Sequence, residues 1–136
     1  MKKFILITAM LFSTIGHTEE PRLKELMATM GGHAQGILAG ILYDDFEVIK
    51  DAVAWVGNHP EPTADLAKIK AELGVQVLRF KWYDTQAHNA AIAIGVAAQN
   101  RDMKEVSKQY GKMIVSCTNC HNAFRDRLRD VLHKDE

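Results

Sequence analysis

Apolar residues recur at steps of three and four along most of the chain after Pro21, and no segment keeps a sustained alternation of apolar and polar residues. Steps of three and four place side chains on one face of an α-helix, whereas a half-buried strand needs a period of two. The first apolar stripe consists of Leu23, Leu26, Met27, Met30, Ala34, Ile37, Leu38 and Ile41. The pattern therefore predicts an all-α protein without a sheet.

Breaks in this periodicity divide the 136 residues into four main helices within a single domain. The predicted segments are, in order, a helix over 22–43, a second over 44–56, a linker over 58–62, a short helical turn between Thr63 and Gly74, a third helix over 75–98 and a fourth over 102–132. Two helix starts carry a capping box, Asp44-Asp45-Phe46-Glu47 and Asp102-Met103-Lys104-Glu105. Because all connections but one are short, we expect an antiparallel four-helix bundle.

Three glycines, Gly32, Gly36 and Gly40, lie four residues apart on one side of the first helix. Each glycine inside a helix costs about 1 kcal/mol relative to alanine, so the spacing indicates that another surface approaches closely. We favour a neighbouring helix in close packing; the alternatives are a bound planar group and a partner subunit.

Both cysteines of the chain belong to one motif, Cys117-Thr118-Asn119-Cys120-His121. On a helix, positions i, i+3 and i+4 share a face, so two thiols and an imidazole can address one flat ligand. C-x-x-C-H is the attachment signature of c-type haem, in which the thiols bond to two vinyl groups and the imidazole binds the iron. The motif predicts one covalent haem c on Cys117 and Cys120, with His121 as an iron ligand.

Other uses of a C-x-x-C pair fit this chain less well. A thioredoxin-like motif follows a strand in a βαβ pattern, which is not seen upstream. A structural zinc site needs four Cys or His ligands, and there is no second cysteine pair. A disulfide between residues three apart would close a very small loop and stabilise little.

The N-terminus is typical of an exported protein. Lys2 and Lys3 precede an apolar run over 4–12 that is too short to span a bilayer comfortably. We predict a signal peptide over 1–18, with an uncleaved anchor as the alternative, and a domain over 19–136 located in the periplasm. Removing Lys2 and Lys3 from the 17 basic side chains leaves 15 against 17 acidic ones. This balance, without a basic run, argues against nucleic acid or an acidic membrane surface as a partner.

The stretch Ser116-Cys117-Thr118-Asn119-Cys120-His121-Asn122-Ala123-Phe124-Arg125 resembles the C-x-x-C-H-x-x-[FY]-R ending of class II cytochromes c, the cytochrome c′ family. The first helix, at Leu26-Met27-Ala28-Thr29-Met30-Gly31-Gly32-His33, also resembles that family, and the likeness extends over roughly residues 20–133. The resemblance implies a haem-bearing four-helix bundle in which Arg125 borders the haem pocket. It also implies that the first two helices can pair subunits into a homodimer.

The same resemblance implies a sixth ligand to the iron. When the first helices are aligned at Met30-Gly31-Gly32-His33, Met27 stands where low-spin members carry a ligating methionine and five-coordinate members carry a blocking apolar residue. Met27 is therefore the expected second iron ligand, with Met30, His33 or an open sixth position as alternatives. Leu23 departs from the family, which usually has a basic residue there near the propionates; Arg22 and Lys24 are the nearest substitutes.

Several other side chains are expected to have ordinary structural roles. We expect His59 to be solvated in the linker and His88 to form a surface pair with Asp84 one turn earlier. Core packing is the favoured role for Phe80 and Trp82, with the haem edge as the alternative. For Arg125 the alternative to the haem pocket is an ion pair with a neighbour such as Asp126.

These expectations combine into a periplasmic monohaem c-type cytochrome that exchanges one electron with redox partner proteins. The alternative is a five-coordinate cytochrome c′ that binds nitric oxide or carbon monoxide, and only the sixth ligand separates the two. Since the sequence shows neither a catalytic triad nor paired carboxylates, we do not expect an enzyme.

Overall fold

The computed structural model describes residues 20–132, and all of their regular structure is helical. The elements are α1 (Leu23–Tyr43), α2 (Phe46–Val56), α3 (Leu66–Leu73), a 3-10 turn (Gly74–Gln76), α4 (Val77–Gln99) and α5 (Met103–Leu132). The all-α prediction is confirmed for this part of the chain, and the bounds of the four long helices agree with the predicted ones to within two residues. The predicted signal peptide lies outside the described residues. Between residues 20 and 132, no helix is both long and apolar enough to cross a membrane.

The turn between α1 and α2 is made by two aspartates. Asp44 ends α1 in the left-handed conformation, with a φ of 55°, which aspartate tolerates better than most residues. Asp45 caps α2, where its Oδ1 accepts hydrogen bonds from the backbone N–H groups of Glu47 and Val48 at 3.1 Å each. The capping residue is therefore Asp45, one residue later than the predicted box, whereas Asp102 caps α5 as predicted.

Helices α1 and α2 pack antiparallel and very close together. Gly36 approaches Ala52 and Gly40 approaches Ile49, so residue numbers fall along α1 as they rise along α2. A Cβ atom at Gly36 would lie 3.4 Å from the Cβ of Ala52, and one at Gly40 would lie 2.5 Å from Cγ1 of Ile49. A Cβ at Gly32 would meet nothing within 4 Å. Close helix packing is thus confirmed for Gly36 and Gly40, but not for Gly32.

The remaining long helices complete a ring in which α2 packs on α4, α4 on α5, and α5 on α1. The Ser116 hydroxyl of α5 donates a buried hydrogen bond of 2.8 Å to the Tyr83 carbonyl of α4. The Tyr110 hydroxyl of α5 donates to the Ala34 carbonyl of α1 at 3.2 Å. Each hydroxyl therefore ties two helices together through a backbone carbonyl.

The buried side chains form two clusters. The upper cluster, as we call it, consists of Ile37, Phe46, Ile49, Ala52, Val53, Val56, Ala87, Ala90, Ala91, Ile94, Ala97, Ala98, Val106 and Met113. The lower cluster consists of Leu23, Ile69, Leu73, Tyr83, Phe124 and Leu128. The short helix α3 covers the lower cluster. Its N-terminal Asp65 is buried, and its Oδ2 accepts a 2.8 Å hydrogen bond from the backbone N–H of Leu23.

Candidate functional site

The C-x-x-C-H motif lies in the middle of α5, a helix without a break over 30 residues. Cys117 and Cys120 are free thiols, each half-buried. Cys117 packs against the upper cluster and Cys120 against the lower one, while His121 is exposed. The motif therefore lies on α5 where the two clusters meet, with its two sulfurs towards the core.

The environment keeps both sulfurs protonated at neutral pH. Burial raises the pKa of Cys117, and burial together with the nearby Cys117 and Asp84 raises the pKa of Cys120 to about 11. Thiol oxidoreductases instead use a C-x-x-C cysteine whose pKa is lowered, so that a reactive thiolate is present. The electrostatics of this pair therefore do not favour disulfide-exchange chemistry.

Residues of α1 meet the motif through the same clusters. Met27 is half-buried and packs against the lower cluster, as Cys120 does. Met30 packs against the upper cluster, as Cys117 does. Leu23 is buried in the lower cluster, so its position, basic in most of the resembled family, is part of the core here.

Arg125 is largely exposed and forms an ion pair with its neighbour Asp126, with Nε and Oδ1 3.4 Å apart. Phe124, beside it, is buried and packs edge-on against Phe80, with ring centroids 5.8 Å apart. The expected core role is confirmed for Phe80, which packs against the lower cluster. It is wrong for Trp82, which is 55% exposed.

A row of rings crosses the protein from α1 to α4. His33 of α1 stacks on Trp55 of α2, with centroids 4.7 Å apart and planes at 12°. Trp55 is followed by His59 at 6.0 Å, and His59 by His88 of α4 at 4.5 Å. The expectation that His59 is solvated is wrong, because only 8% of its side chain is exposed.

His59 is held by three polar contacts. Its Nδ1 lies 2.9 Å from the carbonyl oxygen of Pro60. Its Nε2 lies 2.7 Å from Nε2 of His88 and 3.3 Å from Oδ1 of Asp84. His88 also lies near Asp84, at 3.8 Å between Nε2 and Oδ1. The predicted pair of Asp84 and His88 is thus confirmed. His59 joins it to form a three-residue cluster that the sequence did not indicate.

Charge and burial act in opposite directions in this cluster. The hydrogen bond to Asp84 raises the pKa of His59, against the lowering effect of burial. Burial acts to raise the pKa of Asp84, but the His59 hydrogen bond and the charges of His88, His59 and Lys81 together lower it. Asp84 also contributes to the raised pKa values of Cys117 and Cys120. The cluster and the cysteine pair are therefore electrostatic neighbours.

Comparisons of the chain with protein-family models, with curated proteins and with solved structures found no match in any of the three. The resemblance to class II cytochromes c therefore rests on the residues of the C-x-x-C-H stretch and of the first helix.

Proposed function

We propose that the protein is a periplasmic one-electron carrier with one haem c, bound in an antiparallel four-helix bundle of the class II cytochrome c type. The observation that supports this most strongly is the placement of Cys117, Cys120 and His121 on an unbroken α5. Both sulfurs are free, half-buried and protonated where the two core clusters meet. This is a suitable position for a flat apolar ligand tethered along one edge.

The donor set fits a covalent haem. Each thiol can add its sulfur and its hydrogen across one vinyl double bond, which forms a thioether and needs no net oxidant or reductant. Within residues 20–132, His121 makes neither a hydrogen bond nor an ion pair, so its ring nitrogens are available to iron. Cys120 packs against the lower cluster, whose apolar side chains, such as Leu23 and Phe124, are of the type that contacts a porphyrin face.

When bound, the haem supplies an Fe(III)/Fe(II) couple, and the chain determines how that couple behaves. Cys117 and Cys120 would fix the orientation of the group, and His121 would provide one nitrogen ligand. Met27, which packs against the same cluster as Cys120, would provide a thioether, which raises the reduction potential relative to bis-histidine ligation. A methionine in that role would also exclude water and gases, which favours electron transfer over gas binding.

The partners that follow from this proposal are redox proteins, and the α1–α2 surface is the place where a second copy would bind. Leu42 and Tyr43 at the end of α1 are 72% and 83% exposed. Since Gly36 and Gly40 are already covered by α2 within the chain, these two side chains, rather than the glycines, would form such a contact.

The first test is purification from the periplasm of a bacterium that matures c-type haem, followed by optical spectra of the ferric and ferrous protein with and without carbon monoxide. We expect haem that stays on the polypeptide under denaturing conditions and a low-spin ferrous spectrum that carbon monoxide does not change. A spectrum that carbon monoxide shifts would instead support the five-coordinate, gas-binding alternative. Absence of haem would refute the proposal.

Matched variants locate the ligands. Met27→Ala should convert the haem from low-spin to high-spin, whereas Met30→Ala, one turn away on the same helix, should leave the spectrum unchanged. If Met27→Ala changes nothing, the ligand is Met30 or His33. Cys120→Ala should leave at most one thioether, and unchanged covalent attachment in that variant would contradict the assignment of the cysteines.

A further inference from the structure

We propose that His59, Asp84 and His88 form a binding site for a divalent transition-metal ion, for which Zn²⁺ fits the donor set best. The site joins the linker after α2 to the middle of α4. None of its ligands belongs to the C-x-x-C-H motif, so the inference does not depend on haem attachment.

The three ligand atoms already form a triangle of suitable size. The distances are 2.7 Å between the two Nε2 atoms, 3.3 Å from His59 Nε2 to Asp84 Oδ1 and 3.8 Å from His88 Nε2 to the same oxygen. In a tetrahedral zinc site, with metal–ligand distances of about 2.0–2.2 Å, two ligands are roughly 3.3–3.5 Å apart. Side-chain rotations that change each separation by less than about 1 Å would therefore complete the triangle.

His59 is oriented as a metal ligand by its second nitrogen. The Pro60 carbonyl can only accept a hydrogen bond, so Nδ1 of His59 carries a proton and donates to it at 2.9 Å. In the neutral ring, Nε2 then presents a lone pair towards His88 and Asp84. A backbone carbonyl bound to the other ring nitrogen is the usual partner of a metal-binding histidine.

The close approach of the two rings, at 2.7 Å, means that their facing nitrogens cannot both present bare lone pairs: either one carries a hydrogen and donates it to the other, or a cation lies between them. With a carboxylate oxygen as the third neighbour, a divalent ion satisfies all three atoms together.

The three side chains are buried to different degrees, so the site is held in place and is still reached by solvent. The side chain of His59 is 8% exposed, that of His88 28% and that of Asp84 45%. Solvent thus reaches the site from the Asp84 side, which provides an entry path and room for water as the fourth ligand. Two imidazoles with one carboxylate select zinc or copper over magnesium or calcium, which prefer oxygen ligands alone.

The test is calorimetric titration of ZnSO₄ into the protein purified without a histidine tag and stripped with a chelator. We expect one zinc ion per chain. Asp84→Asn and His88→Gln should each weaken binding by at least about tenfold, since even second-shell changes cost about 10–100-fold. His33→Gln is the matched control, because His33 stacks on the same Trp55 but offers no ligand atom to the cluster; it should bind like the wild type.

Two results would overturn the site: no zinc binding at micromolar concentrations, or equal binding by the wild type and both ligand variants. Either result would leave the cluster as a hydrogen-bond network of two imidazoles and one carboxylate. If the purified protein lacks haem, the same titrations in a Cys117→Ser, Cys120→Ser background exclude zinc binding by the free thiols. Optical spectra test haem attachment and calorimetry tests zinc binding, so failure of one proposal is distinguished from failure of the other.

Discussion

Replacing Gly40 by alanine should destabilise the protein, although the same replacement at Gly32 should stabilise it. Both glycines lie on α1, and neither has a positive φ, so alanine can adopt the backbone conformation at both positions. The difference between them is the distance to α2. A Cβ at Gly32 meets nothing within 4 Å, whereas one at Gly40 meets Ile49 and the backbone carbonyl of Asp45.

The magnitudes follow from two opposing effects. Exchange of glycine for alanine inside a helix gains about 1 kcal/mol, and at Gly32 this gain is not opposed. At Gly40 the new Cβ would lie 2.5 Å from Cγ1 of Ile49 and 2.9 Å from the oxygen of Asp45. Ile49 is completely buried and the oxygen is backbone, so α1 and α2 must separate. Overpacking of this kind costs about 1–3 kcal/mol; with backbone as well as a buried side chain in the way, the upper part of that range applies, which leaves a net loss of up to about 2 kcal/mol.

Gly36→Ala provides an intermediate point, because its Cβ would lie 3.4 Å from the Cβ of Ala52. The three variants should therefore rank Gly32→Ala above Gly36→Ala, and Gly36→Ala above Gly40→Ala, in free energy of unfolding. Urea denaturation followed by circular dichroism measures this free energy, and an unchanged slope with urea concentration would show that only stability has altered. In thermal unfolding, 1 kcal/mol corresponds to a shift of about 3–6 °C for a chain of this size.

Stabilisation of the protein by Gly40→Ala as large as that by Gly32→Ala would contradict close packing at Gly40. That outcome would mean that the α1–α2 distance at Gly40 is larger than described, and that the register read from Gly36 and Gly40 is wrong.

Two further predictions concern buried polar groups and the thiols. Asp65→Ala removes the acceptor of the buried Leu23 N–H, so we expect a loss of about 1–3 kcal/mol in urea denaturation; Asp65→Asn, which keeps an acceptor, should lose less, and equal losses would contradict this role. In haem-free protein, burial raises the pKa of Cys120 from an ordinary 9.0 to about 11, which lowers the thiolate fraction at neutral pH about a hundredfold. Alkylation of Cys120 by iodoacetamide, followed by mass spectrometry, should therefore be slow in buffer and much faster in urea; equal rates would show that the thiol is not buried.

The helices were predictable because their signals are local. Apolar periodicity and the residues at helix ends act within a few positions, which is why the bounds of the long helices agree closely with the structure. The start of α2 differs from the prediction because Asp44 and Asp45 both suit a helix cap. Backbone geometry decides between them, since Asp44 is needed in the left-handed conformation that ends α1.

The exposure of Trp82 shows that burial depends on a residue's position around the helix as well as on its type. On α4 the buried stripe passes through Tyr83, Ala87 and Ala90, at steps of four and three. Trp82 is one residue away from this stripe, about 100° around the helix. Both Trp82 and Phe80 are aromatic, so residue type alone predicts the core for both. Their positions around the helix differ, and this difference places Phe80 against the core and Trp82 in solvent.

The His59 cluster was not predictable, because its partners are distant in sequence. His88 and Asp84 are neighbours on a helix, but His59 is 29 residues from His88 and reaches it only because the linker lies against α4. Likewise, the stacking of His33 on Trp55 depends on the α1–α2 register, which is set by the glycines and the two-residue turn.

The first and last helices of the described residues, α1 and α5, meet at a seam in the ring. Helix α5 contacts α1 far less extensively than it contacts α4, and the Tyr110–Ala34 hydrogen bond across this seam joins residues 76 positions apart. Sub-global opening begins where few contacts must break, so the α1–α2 hairpin can rotate about its contact with α4 and open the α1–α5 seam while α4 and α5 stay paired. Such an opening would move Met27 of α1 away from the cluster against which Cys120 packs, yet leave Cys117, Cys120 and His121 aligned on an intact helix.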